Sequence, residues 1–354
     1  VGCRWHAVAA PRHAYAKSRF DGVTALSAAR AWAVGSTYTG HENSPDAPVV
    51  ARWDGVHWAT AAEGLPPSAT VLDVDAAPGA VWLAGFSRNH AFVARLDGSR
   101  WTTMRPPVNA RFSHLNGIDV IAADDVWAVG GISTGGSGRT LALHWDGSHW
   151  RAVRTPSPRP SPATGSPYTD LSDVDALRPD DVWAVGQAGN VAPVGQTETI
   201  AVHWDGHRWR HVPTANRPTS DGRRFNILFG VAAVSSDDVW AVGDWNGRWP
   251  GFGGGGDHAL LEHWDGHRWG LVDSGVGGRS ILYGVTGLGT GVLAVGDRGI
   301  PWRTLALRGA ASWHAASTTP GSLADVATAP DGTRWVAGQR EGQAMSAVCL
   351  PATP

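Results

Sequence analysis

The heptapeptide Asp-Asp-Val-Trp-Ala-Val-Gly at residues 124–130 recurs unchanged at 180–186 and again at 237–243. Weaker copies occupy residues 31–35, 81–85, 293–296 and 335–338, which makes seven in all. A period of roughly 40–60 residues is what results when each repeat is one small sheet. One such unit cannot bury its apolar faces alone, so the units must stack on one another.

Each unit reads as four strands. In the fourth unit, residues 171–177 alternate between apolar and polar, as a strand with one face against a neighbouring sheet does. The run Val182-Trp183-Ala184-Val185-Gly186 is apolar throughout, which fits burial on both faces. A loop of variable length leads to a third strand at 200–204. Asp205-Gly206 then predicts a two-residue hairpin turn with positive φ at both positions, and a fourth strand begins around Trp209. The hairpin recurs at 53–58, 96–101, 145–150 and 264–269, and survives in degraded form at 308–313.

The last unit stops at residues 347–350 without a fourth strand, whereas residues 3–8 (Cys-Arg-Trp-His-Ala-Val) match the fourth strands elsewhere. The N-terminus is therefore expected to complete the last blade. The fold class that follows is all-β: one seven-bladed β-propeller over residues 1–354, with four antiparallel strands per blade. Cys3 and Cys349 are the two cysteines, and this arrangement sets them on adjacent strands. A disulfide between them, allowed at a Cα separation of about 4.4–6.8 Å, would close a loop worth roughly 4–5 kcal/mol. It implies an oxidising compartment, hence a secreted, extracellular protein. Two unpaired buried thiols are the alternative. The chain opens on Val1 with no leader, as a processed product would.

In such a ring the short one-to-two and three-to-four turns share one face. The long two-to-three loops and the blade connectors share the other. The long segments here, among them 36–48, 154–170, 187–199, 213–227 and 244–258, differ from one another. Variation on a rigid frame marks the working surface. Charged residues make up 17% and the net charge is −2, which argues against a nucleic-acid partner. No run of about 20 apolar residues supplies a membrane span.

Several motifs were weighed as chemistry and read as structure. The Asp-Gly-x-x-Trp hairpin resembles the Asp-box of sialidase-like propellers, in which the Asp accepts turn hydrogen bonds and the Trp packs. His144, His203 and His263 share one repeat position, and equivalent positions on packed sheets lie about 10 Å apart, too far for one metal ion. Asp273-Ser274-Gly275 lacks the context of a serine nucleophile, and residues 253–256 (four Gly) lack that of a phosphate loop. The channel-side carboxylates Asp73, Asp119, Asp173, Asp175 and Asp325 admit two readings. They are ligands for Ca²⁺, which takes six to eight oxygens, or carboxylates held by solvent and backbone.

Three Trp residues near the fifth blade fall outside the repeat. The candidate ligand-binding set there is Asp244, Trp245, Asn246, Arg248, Trp249, Phe252 and Asp257, with Asp297, Trp302 and Arg303 next door. Aromatic faces beside Arg, Asp and Asn suit a sugar ring, which stacks by its C–H face and hydrogen-bonds through its hydroxyls. The same residues also suit a protein interface or packing of the loop on itself.

The Asp-Asp-Val-Trp-Ala-Val-Gly … His-Trp-Asp-Gly-x-x-Trp pattern spans nearly the whole chain and resembles secreted β-propellers of GC-rich filamentous soil bacteria. Some of these are similar to the lectin subunits of umbrella toxin particles. The resemblance implies binding to a cell-surface glycan and docking onto an adaptor protein of a larger secreted antibacterial complex. The expectation from sequence is a carbohydrate-binding, lectin-like propeller that is not an enzyme, since no converging acid/base pair is visible. A protein-interaction scaffold is the second reading, and a propeller glycosidase or lyase the third.

Overall fold

The computed structural model describes residues 5–11, 17–38, 47–134, 137–158, 167–190, 196–217, 225–245, 257–309, 313–316, 319 and 321–351. Seven four-stranded antiparallel sheets follow one another around a ring. Blade 1 comprises Lys17–Ser27, Arg30–Tyr38, Pro48–Trp53 and Trp58–Thr60. Blades 2 to 6 begin at Ala69, Phe112, Pro167, Asn226 and Ser280. Blade 7 takes three strands from the C-terminal end, Ser322–Thr328, Arg334–Arg340 and Gln343–Cys349, and its outer strand from Trp5–Val8. Trp5 faces Cys349 and Val8 faces Ser346 in that last pairing, so the ring closes as the repeat predicts. Cys349 is fully buried, and Cys3 lies outside the described residues.

The core is seven wedges, one between each pair of neighbouring blades. Between blades 2 and 3, Trp82, Ala84 and Val93 meet Leu115, Leu141, Leu143, Trp145 and Trp150. Between blades 3 and 4, Trp127 and Val129 meet Leu171, Val182, Val202 and Trp209. The repeat's Trp residues are the keystones. The second-strand Trp of one blade meets the fourth-strand Trp of the next edge-on, as in Trp127–Trp209 at 5.1 Å and Trp183–Trp269 at 5.5 Å.

The glycine ending each motif has a steric cause. Every inner strand carries a bulge opposite it, for example at Leu115/Gly117 and Leu171/Asp173. A Cβ added to Gly35, Gly85, Gly130, Gly186, Gly243, Gly296 or Gly338 would fall 1.8–2.2 Å from an inner-strand carbonyl oxygen. No side chain fits in that gap.

Two expectations need correction. Asp-Gly does not form a two-residue turn in most blades. Trp53 pairs with Trp58, which leaves a four-residue loop. In that loop Gly55 has positive φ but Asp54 does not. Instead, Asp54 Oδ1 accepts from the Val56 and His57 amides, so the carboxylate closes the loop. Asp146, Asp205 and Asp265 do the same. Second, pairing runs on past the apolar motif. The second strand of blade 4 extends over Asp181–Asn190 and the third over Thr197–Trp204, because backbone hydrogen bonds do not require apolar side chains.

Candidate functional site

The residue just beyond each motif glycine is where the blades stop resembling one another: Ser36, Phe86, Gly131, Gln187, Asp244, Asp297 and Gln339. All lie on the long-loop half of the second strand. In blades 5 and 6 this position is an aspartate. Asp244 stands opposite Ile227 and Ala259, and Asp297 opposite Ile281 and Thr304.

Asp244 and Asp297 are buried, at 7% and 3% exposure, and Oδ1 of each has no hydrogen-bond partner among the described residues. Oδ2 of Asp297 accepts from Ser322 Oγ of blade 7 at 2.7 Å. Asp257 leads into the third strand of blade 5 and is gripped by Arg279 through Nη2 and Nε. Its carbonyl accepts the Ser280 amide at 2.8 Å, which ties blade 5 to blade 6. Arg279 also lies 5.2 Å from the centre of the Trp302 ring. Trp302 is 38% exposed, while the second-strand motif tryptophans are buried. Tyr283, on the inner strand of blade 6, packs 5.5 Å from Phe229.

The electrostatics follow from burial and crowding. Burial, reinforced by Asp257, lifts the Asp244 carboxyl to about 7. Burial lifts Asp297 to about 6, with Asp257 adding to the rise and the Ser322 hydroxyl opposing it. Burial and then the three carboxylates push the Tyr283 phenol far above its ordinary value. Near neutral pH Asp244 can thus carry a proton while Asp297 is mostly ionised, which is the raw material of acid–base chemistry.

The structure gathers part of the sequence-predicted set and separates the rest. Asp244, Asp257, Asp297 and Trp302 converge at the junction of blades 5 and 6. Trp245 instead turns into packing: it stacks on His258 at 4.8 Å, with the Arg217 guanidinium 5.3 Å from its ring. Arg303 begins the third strand of blade 6 opposite Arg298 and is exposed. Asn246, Arg248, Trp249, Phe252 and the glycines at 253–256 lie outside the described residues. Arg279 and Tyr283 were missed. Arg279 sits in a connector with no motif, and Tyr283 occupies an inner-strand position held elsewhere by Asp21, Leu72, Asn116, Ser172, Phe229 and Ala324.

The channel-side carboxylates are spent on joining blades. Asp73 Oδ2 accepts the Ile118 amide of blade 3, Asp173 Oδ2 the Val231 amide of blade 5, and Asp325 Oδ2 the Val23 amide of blade 1. Asp75, Asp119 and Asp175 reach Val120, Ala176 and Ala233 in the same way. They line a cavity of about 360 Å³ on the axis. Among the described residues no group of three or more His, Cys, Asp or Glu is arranged to hold a metal ion, so the Ca²⁺ reading finds no geometric support there. His144, His203 and His263 each bond an aspartate of their own blade, Asp125, Asp181 and Asp238, at 2.7–2.8 Å and lie against the motif Trp. Among the described residues no helix is long and apolar enough to cross a membrane.

These features define a β-propeller with a carboxylate–aromatic site on its long-loop face. No family model matches the chain, and no curated protein matches its sequence. Among solved structures the fold is similar to that of YCF48 from Cyanidioschyzon merolae, at 14% identity over 99% of each chain and a TM-score of 0.60. It is similar to a polysaccharide lyase, a PL25 ulvan lyase bound to -[GlcA(1-4)Rha3S]-, at 10% identity over 95% of this chain and 94% of that one, TM-score 0.62. It is also similar to the GH74 xyloglucanase from Xanthomonas campestris, at 14% identity over 96% of this chain and 54% of that one, TM-score 0.55. The likeness is one of fold. It overturns the expectation that such a chain is not an enzyme, because two of these propellers are enzymes. The absence of an acid/base pair in the linear sequence was a poor guide for a physical reason. Asp244 and Asp297 come from the second strands of two blades and Asp257 from the lead into a third strand, and only the ring brings them together.

Proposed function

We propose that the chain is a carbohydrate-directed propeller that takes a glycan at the junction of blades 5 and 6 on the long-loop face. The observation that carries this reading is Trp302. It is an exposed aromatic face backed by Arg279 and set beside buried carboxylates whose acceptor oxygens lack partners. A sugar ring offers an apolar C–H face for the indole and hydroxyl donors for the carboxylates. That two propellers of similar fold act on polysaccharides supports the class of ligand. The test is a panel of soluble glycans titrated against the chain and against Trp302→Ala. A saturable ligand whose affinity falls about tenfold in the variant, the usual scale for losing an aromatic anchor, supports the reading. A panel with no ligand sinks it.

The same proposal includes secretion and a Cys3–Cys349 disulfide across the closing strands. The register of Trp5 opposite Cys349 supports it, since Cys3 is two residues before Trp5 in the chain. Reducing and non-reducing mass spectrometry of the chain from culture supernatant would decide it. A role as the glycan-recognising subunit of a toxin particle, docked on an adaptor, rests on the repeat resemblance and is tested by co-purification from that supernatant.

A further inference from the structure

A second surface runs along the outer wall of the ring, from the 154–170 connector at the long-loop face toward the hairpin face. Between the outer strand of blade 3 and the three-to-four hairpin of blade 4 runs a groove of about 1150 Å³. Its lining includes Arg139, Arg151, Arg154, Arg208 and His207, and among the described residues it contains no Asp or Glu. Tyr168 and Trp204 add aromatic surface to its walls. Arg151 is paired with Asp146 at 2.7 Å. Arg139, Arg154 and Arg208 are exposed and make no ion pair among the described residues.

The repeat supplies an internal control, because every junction between blades has the same positions to fill. Arg139 stands opposite Ile132. The matching register position in blade 4 is Glu198, opposite Ala188, and in blade 2 it is His90, opposite Ser87. Arg151 stands opposite His144, and blade 4 repeats it with Arg210 opposite His203, paired to Asp205, whereas blade 5 has Gly270 and blade 1 Ala59 there. Four residues after the outer-strand Trp, blades 3 and 2 have Arg154 and Arg105, whereas blades 1 and 4 have Ala62 and Pro213. Arg208 has counterparts in Arg100 and Arg268. Arg139 has none in blades 2 and 4, and only the junction of blades 3 and 4 combines an arginine at all four positions. Packing at these junctions is alike, so the fold does not call for four arginines at one of them. An excess of unpaired guanidinium groups in a chain of net charge −2 marks a site for something anionic.

We propose that this groove binds an anionic polysaccharide, one carrying carboxylate or sulfate groups, in an extended conformation. The inference rests on reading the chain as carbohydrate-directed. Its physical content is separate: guanidinium forks take carboxylate or sulfate oxygens in pairs, and the aromatic walls offer contact to the apolar faces between them. The volume exceeds the roughly 300–1,000 Å³ of a small-ligand pocket, which fits several residues of a chain better than one sugar. Arg139 and the Arg151 region lie about 17 Å apart along the strand direction, at roughly 3.3 Å per residue, so successive charges of a polymer can be met together.

The experiment titrates the whole chain with dextran sulfate, polygalacturonate and uncharged dextran. Both polyanions are expected to bind and dextran is not. The Arg139→Ala/Arg154→Ala/Arg208→Ala variant, altered only at exposed positions, should weaken both by about tenfold or more at an unchanged thermal midpoint. Polyanion binding that is unchanged in this variant overturns the proposal. So does an oligo(dT) that binds as tightly as the polysaccharides and loses as much in the variant, which would reduce the groove to bare charge attraction. Trp302→Ala should leave polyanion binding intact. If that variant abolishes it while the triple variant does not, the anion sits at the blade 5–6 site and the groove is wrong. A neutral-glycan panel without ligands sinks the blade 5–6 reading alone, because it does not touch the response of the polyanions to the triple variant.

Discussion

Gly186 and Gln187 are neighbours on one strand, yet they answer to different constraints. Gly186 meets the backbone of its own inner strand so closely that a Cβ would sit 2.1 Å from the Asp170 carbonyl oxygen. One residue on, the strand is free of the wedge between blades, and the seven blades carry seven loosely related residues there. The motif segments are fully packed. The positions beyond them hold Gln187, Asp244 and Asp297, each with a buried acceptor oxygen that has no partner. Among the described residues the frame leaves unmet atoms too, the indole Nε1 of Trp127 and Trp183, but each is a single donor set against a neighbouring aromatic ring. The positions beyond the motif leave acceptor oxygens instead, and an unmet buried polar group costs about 1–3 kcal/mol. In blades 4, 5 and 6 the boundary between frame and site is therefore one residue wide.

The sharpest way to break that comparison is to substitute across the boundary. Gly186→Ala should cost about 3 kcal/mol or more in urea unfolding, because backbone rather than a movable side chain blocks the new methyl. Gln187→Ala should change stability by less than about 1 kcal/mol. Equal costs would erase the boundary.

Next in size are the carboxylates that bridge blades. Asp173→Ala leaves the Val174 and Val231 amides without their acceptor, and a loss of about 2–3 kcal/mol is expected. An unchanged denaturant midpoint would show that the bridges do not hold the ring together.

Protons should act through the same groups. Burial raises Asp173 to about 8, and Asp325 and Glu262 to about 7. Between their ordinary carboxylate values and these raised ones, the folded chain binds more protons than the unfolded chain. Stability is then highest toward pH 4–5 and declines as pH rises to 8, by up to about 1.4 kcal/mol per unit for each such group. Asp173→Asn and Glu262→Gln should each flatten that slope in melts taken from pH 5 to 8, and a slope of opposite sign would refute the assignment.

The smallest expected stability effect falls on the site itself. Asp244→Asn removes a buried carboxyl with an unmet oxygen, so the midpoint at pH 8 should stay level or rise by about 0.5–1 kcal/mol while glycan affinity falls. A variant that loses stability together with binding would place Asp244 in the frame.

Much of the frame could be read before any coordinates. The Val-Trp-Ala-Val-Gly copies announced seven blades, and the stray fourth strand at residues 5–8 announced how they close. The turn chemistry was read less well, since Asp-Gly alone does not reveal that the carboxylate spans a four-residue loop. The site was read in part. Asp244, Asp257, Asp297 and Trp302 stood out because they break the repeat. Trp245 broke it too, yet it packs against His258. Arg279 and Tyr283 broke no pattern that a linear reading could detect.

The division has a simple cause. Packing against an identical neighbour imposes the same residues at a fixed interval, so the amino-acid sequence alone determined the number of blades, their strand content and the closure of the ring. A site between unlike blades imposes no interval. Which carboxylates share a space, which arginines lack a partner and which tryptophan stays open were decided only when the ring set blade 3 against blade 4 and blade 5 against blade 6.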